Sequence, residues 1–282
     1  MIIINYDKCN GCGLCVKVCH ESCIDLINDK IHINYNFCST CTQCIAVCPC
    51  LALSWENHEP IPFDNNMLPT SSQLDELFKQ RRTKRFFKNR KPERQVLEEI
   101  MSYAVYAPTH NFNFRAIVVD DDKLLEEIDN IVFQYNKKIY RYLYQPKIVR
   151  FLISLLAPSQ ESEYLTAKPK LEHSLAIGRA YLSMPPVIIM IIGEKRTPLS
   201  IESAQYLIYN MDLYAMTKGL GCRNLVGNQM FLDRSKKLRK ILGLSKNVKI
   251  YATLGIGYPS IKFRNKVIGK TIDIQWNDET AK

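Results

Sequence analysis

Eight of the eleven cysteines fall in two runs, Cys9, Cys12, Cys15, Cys19 and Cys38, Cys41, Cys44, Cys48, each spaced C-x2-C-x2-C-x3-C. A thiolate ligand needs a sulfur without its proton and a backbone that turns it inward. Two-residue gaps let three sulfurs converge on one cube, and the wider last gap sends the fourth elsewhere, the spacing that holds cubane iron–sulfur clusters. Where there are two such clusters, that fourth cysteine serves the other one. Cys9, Cys12, Cys15 and Cys48 are therefore assigned to one [4Fe-4S] cluster, and Cys38, Cys41, Cys44 and Cys19 to its twin. Zinc would ask for two C-x2-C pairs and no further cysteines in each run. Disulfides would need an oxidising compartment, and Met1 to Asp7 lacks the basic start and apolar run of an export signal. Cys23 and Cys50 are read as small buried hydrophobes packed beside the clusters.

An internal repeat supports this pairing. Ile2-Ile3-Ile4-Asn5-Tyr6-Asp7-Lys8-Cys9 aligns at an offset of 29 with Ile31-His32-Ile33-Asn34-Tyr35-Asn36-Phe37-Cys38, and every later ligand keeps the offset. Residues 1 to 59 resemble the bacterial-type ferredoxins with two [4Fe-4S] clusters. One departure is His20: Cys48 is followed by Pro49, but Cys19 by a histidine, which places a donor where it can tune a cluster.

Three later segments carry different chemistry. Arg81-Arg82-Thr83-Lys84-Arg85-Phe86 brings arginine forks and a hydroxyl together, groups that suit a phosphate, although alone it also reads as a solvated basic helix face. Ala107-Pro108-Thr109-His110-Asn111-Phe112-Asn113 is a loop with a carboxamide, ordinary turn chemistry by itself. Lys218-Gly219-Leu220-Gly221-Cys222, then Gly227, then Gly255-Ile256-Gly257-Tyr258-Pro259 offer glycines that admit a planar ligand close to the backbone, or simply end helices and strands. Neither glycine run completes a G-x-G-x-x-G: Asn224 and Ser260 stand where the third glycine belongs, against a Rossmann dinucleotide site.

Taken in order, the R-R-T-x-R-F segment, the A-P-T…N loop, the G-L-G-x-C stretch and the G-Y-P strand end resemble the nitroreductase family of FMN flavoproteins, over about residues 73 to 277. The whole chain looks like a ferredoxin–nitroreductase fusion. The resemblance implies that Arg81, Arg82, Thr83 and Arg85 hold the FMN phosphate and ribityl chain, with Arg264 and Lys266 closing on the same phosphate. It implies that Asn111 bonds the isoalloxazine edge, that backbone at Val226 and Gly227 lies near flavin N5, and that the enzyme is a homodimer with flavin at the subunit interface. Departures at Asn111-Phe112-Asn113-Phe114 and Arg223-Asn224 fall on the substrate pocket. No catalytic acid–base residue is assigned; His110 is read as a structural loop residue. The implied activity is an FMN-dependent oxidoreductase passing electrons through two [4Fe-4S] clusters to FMN and on to a nitroaromatic or quinone. Reductive dehalogenation, enoate reduction or a non-enzymatic electron carrier or redox sensor are the alternatives. Reduced ferredoxin, flavodoxin or NAD(P)H are the candidate donors.

The elements that must position these residues read as α+β. The expected organisation is a ferredoxin domain over 1–59, a proline-punctuated linker over 60–72, and a flavin domain over 73–282. Helices are expected after Ser71 or Ser72, after Lys91-Pro92, after Asp120 to Asp122, and over Ser200 to Lys218 with Gly219 as its cap. Buried strands are expected at Val187 to Ile192 and over 248–256, and an edge strand at Thr271 to Trp276. Residues 134–172 read as a poorly periodic insertion or lid. Residues 1–60 carry three Lys and no Arg against six Asp or Glu, a net charge of −3, and the remainder carries +13, so the first module suits electrostatic docking on the second. No zinc knuckle, helix–turn–helix or RNA-binding aromatic motif accompanies the positive charge, against a nucleic-acid partner. The best apolar run, Ile148 to Ala157, is short and interrupted by Arg150, against a membrane span. A cytoplasmic, oxygen-poor setting is expected.

Overall fold

The first cysteine run turns on glycine. Gly11 and Gly13, either side of Cys12, have φ of +67° and +73°, a left-handed backbone that glycine adopts without strain. Their counterparts at the offset of 29, Thr40 and Thr42, are held at +56° and +63° although β-branched. The repeat is thus visible in the dihedrals, with a cheaper residue at each turn in the first half.

A computed structural model describes residues 1–110, 113–195 and 198–277. The chain divides into two compact units, Met1–Thr70 and one built from Ser71–Thr109 and the residues from Phe114 onward. In the first unit the order is β1 (Ile2–Ile4), α1 (Leu14–Val18), β2 (Ile24–Ile27), β3 (Lys30–Ile33), α2 (Gln43–Ala46) and β4 (Leu53–Trp55). β1 pairs with β4 and β2 with β3, both antiparallel. Each pair takes one strand from each repeat, so the halves interlock. Repeat-related bonds lock them: Tyr35 Oη donates to the Ile2 carbonyl at 2.8 Å and Tyr6 Oη to the Ile31 carbonyl at 3.2 Å. The β2–β3 hairpin closes through Asn28 and Asp29, both at positive φ, as a two-residue primed turn requires. The core between these elements is small: Ile2, Ile24, Ile31 and Leu53, completed by Cys15, Cys23 and Cys44.

The second unit opens with α3 (Ser71–Gln80) and α4 (Arg94–Ser102). Strand β5 (Phe114–Val119) leads into α5 (Asp122–Ile139), whose N-cap Asp121 accepts from the Leu124 N–H at 2.8 Å. Then come α6 (Lys147–Leu156), α7 (Pro158–Ile177), β6 (Val187–Glu194), α8 (Ser200–Thr217), β7 (Gly221–Asn224), α9 (Val226–Arg234), α10 (Lys236–Ile241) and β8 (Val248–Gly257). The sheet is antiparallel, in the order β5-β6-β8-β7. Its central strands β6 and β8 are buried along almost their whole length. β6 reads as a continuous apolar run, and β8 carries Lys249 and Thr253 among its apolar residues, because both faces of the two strands are covered. α4 and α8 pack on one face around Ile100, Leu207, Met211 and Leu254. α5, α9 and α10 contribute Ile128, Leu232 and Leu238 to a second core with Ile188 and Ile250. At the end of α8, Gly219 at φ +70° lets the Leu220 N–H return to the Ala215 carbonyl at 3.0 Å.

One expectation fails and another gains detail. Residues 134–172, read as a poorly periodic insertion or lid, are helical: α5 continues to Ile139, a π-helical turn spans Tyr140–Tyr144, and α6 and α7 follow. Their periodicity is blurred by the π turn and by Pro169 inside α7, each of which shifts the apolar face between successive stretches. Thr271 to Trp276 forms no strand. Its alternation leaves Ile272, Ile274 and Trp276 exposed on an extended arm, at 84%, 63% and 61% of full exposure. Among the described residues, no helix is long and apolar enough to cross a membrane.

Candidate functional site

Four of the cysteines in the first unit wall one cavity. Cys9, Cys12, Cys15 and Cys48 line it together with Cys50, Ile31 and Leu53. These are the four sulfurs that the spacing groups together. The interlock explains it: β4 pairs with β1, which returns the end of the second run to the start of the first. Burial raises the Cys15 thiol, and the nearby Cys12 and Cys48 sulfurs add to it. Burial likewise pushes Cys44 up to about 11, with Cys41 and Cys38 as its charged neighbours. Each inward thiol thus faces members of its own set and must lose its proton on ligation.

Cys19, the member of the second set supplied by the first run, lies with its Sγ 3.5 Å from that of Cys23. Cys23 is buried, 4% exposed. Among the described residues, no three His, Cys, Asp or Glu side chains converge tightly enough to grip a single ion. A tetrahedral zinc would draw its sulfurs to within about 4 Å of one another. Four thiols lining one pocket supply the donor number that a cluster with four thiolate ligands would need.

The second unit gathers cations. After α3, residues 81–90 run extended along the end of the sheet: the Lys84 N–H donates to the Cys222 carbonyl at 2.9 Å, Lys88 N–H to Tyr258 at 2.8 Å, and Ser260 N–H to Phe86 at 3.1 Å. Gly221 is obligatory here, because a Cβ would stand 2.2 Å from Lys84 Cγ and 2.9 Å from Pro259 Cγ. An extended chain presents alternate residues to opposite sides. Arg82, Lys84 and Lys88 line an open groove together with Lys79, Lys262, Arg264 and Lys266. Lys84 Nζ lies 4.1 Å above the Phe263 ring, and burial lowers its pKa.

The structure therefore brings Arg82, Arg264 and Lys266 together and turns Arg81 and Arg85 elsewhere. Arg81 Nη1 lies 3.5 Å from Asp212 Oδ2, and Arg85 neighbours Arg223, whose guanidinium covers the Tyr181 ring at 4.7 Å. Thr83 is half-buried in the same extended segment. Lys266 is ion-paired with Glu76. Among the described residues, Arg82 and Arg264 form no ion pair with a carboxylate, although Arg82 Nη1 donates to the Arg81 carbonyl at 2.7 Å, and their charge is left for an anion. Val226 and Gly227 open α9; Val226 is exposed, and nothing approaches the Gly227 Cβ position within 4 Å. Asn111, expected to bond a flavin edge, lies outside the described residues.

Sequence reasoning misses Asp212. It sits on the inward side of α8, one turn after Ile208, and joins two of the motifs: Arg81 from the basic segment and the Cys222 thiol from β7. Burial raises its carboxyl, and Arg81 only partly offsets that. Burial, then the Asp212 charge, raises Cys222 far above an ordinary thiol, so this cysteine is inert and structural. A carboxylate at a core-facing helical position was the available signal. Gln205, whose amide oxygen accepts from Asn224 Nδ2 at 2.9 Å, keeps a buried Nε2 without a partner among the described residues.

Residues 78–258 match the nitroreductase family, and residues 1–49 match the 4Fe-4S dicluster domain. No curated protein matches the chain. Among solved structures, the chain is similar to an oxidised iodotyrosine deiodinase bound to FMN and 3-iodo-L-tyrosine, at 23% identity and a TM-score of 0.50, over 72% of this chain and 98% of that one. It is similar to a nitroreductase with bound FMN from Bacteroides fragilis, at 17% identity and a TM-score of 0.51, over 72% and 99% of the two chains. A third, the FMN-bound nitroreductase from Desulfitobacterium hafniense, is 17% identical with a TM-score of 0.50, over 71% and 97%. These likenesses establish the fold of the second unit.

Proposed function

The chain belongs to the nitroreductase family, and from that premise we propose an iron–sulfur flavoprotein oxidoreductase that takes in electrons at two [4Fe-4S] clusters and delivers them through FMN to an electron-poor organic acceptor of the nitroaromatic or quinone type. The observation that carries this reading is the cavity walled by Cys9, Cys12, Cys15 and Cys48 on the same polypeptide as the nitroreductase unit. When bound, FMN supplies the exchange between one- and two-electron chemistry, and the protein supplies orientation and electrostatics.

The chain's own residues divide that work. Arg82 and Arg264, which both line the groove, would hold the phosphate, each through a planar, permanently charged fork. Lys266 reaches the groove but shares its charge with Glu76. Asp212 holds Arg81 in place, and Arg85, in the same segment as Thr83, neighbours Arg223. Gly227 leaves the start of α9 open for close approach of a planar ring. In the first unit, Cys9, Cys12, Cys15 and Cys48 hold one cluster and Cys19, Cys38, Cys41 and Cys44 the other. Protons for the reduced product come from solvent, since no acid–base residue is assigned to the site. Reduced ferredoxin, flavodoxin or NAD(P)H is the electron donor. The exposed Ile272, Ile274 and Trp276 arm, with Tyr106 and Tyr206 exposed on the α4–α8 side, supports a homodimer, because a second copy would cover this apolar surface. The working location is the cytoplasm.

An anaerobic absorbance spectrum with iron, sulfide and flavin analysis tests the cofactors, and turnover with nitroaromatics, quinones, enoates and aryl halides under each donor tests the acceptor class. Flavin bands without the broad iron–sulfur shoulder would sink the cluster assignment. Faster turnover of enoates or halides than of nitro compounds would move the activity to the alternative reductases. Tight binding of a protein partner without turnover of any small acceptor would make it a carrier or sensor.

A further inference from the structure

The two halves of the N-terminal unit differ at one buried position. Cys23 and Ala52 are counterparts at the offset of 29, each four residues beyond the last cysteine of its run, and they are 4% and 2% exposed. In the second half the Ala52 backbone N–H donates to the Cys48 sulfur at 3.3 Å. In the first half the corresponding approach is sulfur to sulfur, 3.5 Å between Cys23 and Cys19. Ala52 shows that a methyl group fills this position adequately. A thiol here is therefore not needed for packing, and its sulfur stands within hydrogen-bonding reach of the Cys19 sulfur. The set Cys19, Cys38, Cys41 and Cys44 thus has a fifth sulfur beside one of its members.

We propose that Cys23 is a reserve ligand of this second cluster, able to take the fourth position from Cys19. The inference rests on the cluster reading above. In the exchange the iron–sulfur bond to Cys19 opens, one to Cys23 forms, and the Cys23 proton passes to the Cys19 sulfur, so that no electron is gained or lost. Cys19 is the natural member to be replaced. It arrives from the other half of the repeat, and its loop to β2 carries Cys23 on the same short stretch, with the Ser22 N–H turned back to the Cys19 carbonyl at 3.2 Å.

The test uses the full-length chain, reconstituted anaerobically with iron and sulfide, with metal content and the electron paramagnetic resonance of the reduced clusters as readouts. Wild type and Cys23→Ala should each hold about eight irons. Cys19→Ala should also hold about eight, with an altered resonance, and Cys19→Ala/Cys23→Ala should fall to about four. Cys41→Ala, an exposed member of the same set, is the matched lesion, so a general loss of folding on removing any ligand remains readable. Cys19→Ala falling to the level of Cys41→Ala overturns the proposal, as does retention of eight irons by the double variant. Loss of iron from Cys23→Ala alone also overturns it, by making Cys23 a primary ligand. A wild type that takes up no clusters defeats the cluster reading itself, which is a different outcome.

Discussion

In the N-terminal unit every candidate ligand comes from two short runs whose spacing repeats, and the loops between them have little apolar core beneath: four large aliphatic side chains and three cysteines. In the second unit the groove draws Arg82 from a segment after α3 and Arg264 from beyond β8, held apart and aligned by a sheet with a full core on each face. One site is encoded by local spacing and needs its ligand to hold the fold. The other is encoded by tertiary structure and needs the fold to hold its ligand. Metal removal should therefore act on them in opposite ways.

Stripping iron with a chelator under reducing conditions should have the largest effect. Residues 1–70 should become protease-sensitive because metal binding and folding are coupled in so small a core, while the second unit keeps its thermal transition. Equal protease resistance of the stripped and loaded chains would break the comparison. Next, Arg82→Gln or Arg264→Gln should weaken FMN binding by about 1.5–3 kcal/mol, the scale of a hydrogen bond to a charged group, with cluster absorbance unchanged. Lys266→Gln should cost less, because Glu76 already holds that ammonium. Fluorescence titration of the flavin measures all three.

Gly257→Ala sharpens the contrast from the scaffold side. Its Cβ would stand 2.5 Å from Pro186 Cγ and 3.0 Å from Phe87 Cδ1, and a proline ring cannot swing away. Overpacking of this kind should cost about 1–3 kcal/mol, read as a lower melting temperature of the second unit only. Asp212→Asn should give a smaller, pH-dependent change. Burial holds the Asp212 carboxyl above its ordinary range, so the folded chain takes up this proton at higher pH than the unfolded chain. The wild-type fold therefore loses stability as pH rises through the folded pKa, and none of that loss occurs below the unfolded one. The variant should show a flatter stability–pH curve and gain on wild type as pH rises, while binding FMN less well because Arg81 loses its anchor. A steeper curve in the variant would contradict the assignment. Smallest, Thr40→Gly should relieve a left-handed backbone at φ +56° and stabilise the loaded first unit by about 1 kcal/mol.

How much could be read in advance follows the same division. The offset of 29 grouped Cys48 with the first run before any strand pairing was known, because ligand spacing is a local property. The central strand β6 was legible as a continuous apolar run, β8 as a largely apolar one interrupted by Lys249 and Thr253, and Gly219 as a helix end. The pairing of Arg81 with Asp212 was not, since nothing in either neighbourhood specifies which core-facing position of α8 the basic segment will meet. The separation of Arg82 from Arg81 and Arg85 also required knowing that residues 81–90 run extended and not helical. Helices α6 and α7 were hidden by a π turn and an internal proline, which move the apolar stripe around the axis. The arm at 271–276 carried a true strand pattern, but alternation specifies a face without providing a neighbour to pair with.

The interlock of the two half-repeats has a consequence for how the protein can be made and how it can evolve. Since Cys48 closes the cavity begun by Cys9, Cys12 and Cys15, no complete set of four thiols exists on a nascent chain until both halves have left the ribosome. Cluster insertion must therefore follow synthesis of the whole N-terminal unit. A deletion that removes either half removes both redox centres at once, so the duplicated module can be inherited or discarded only as a pair.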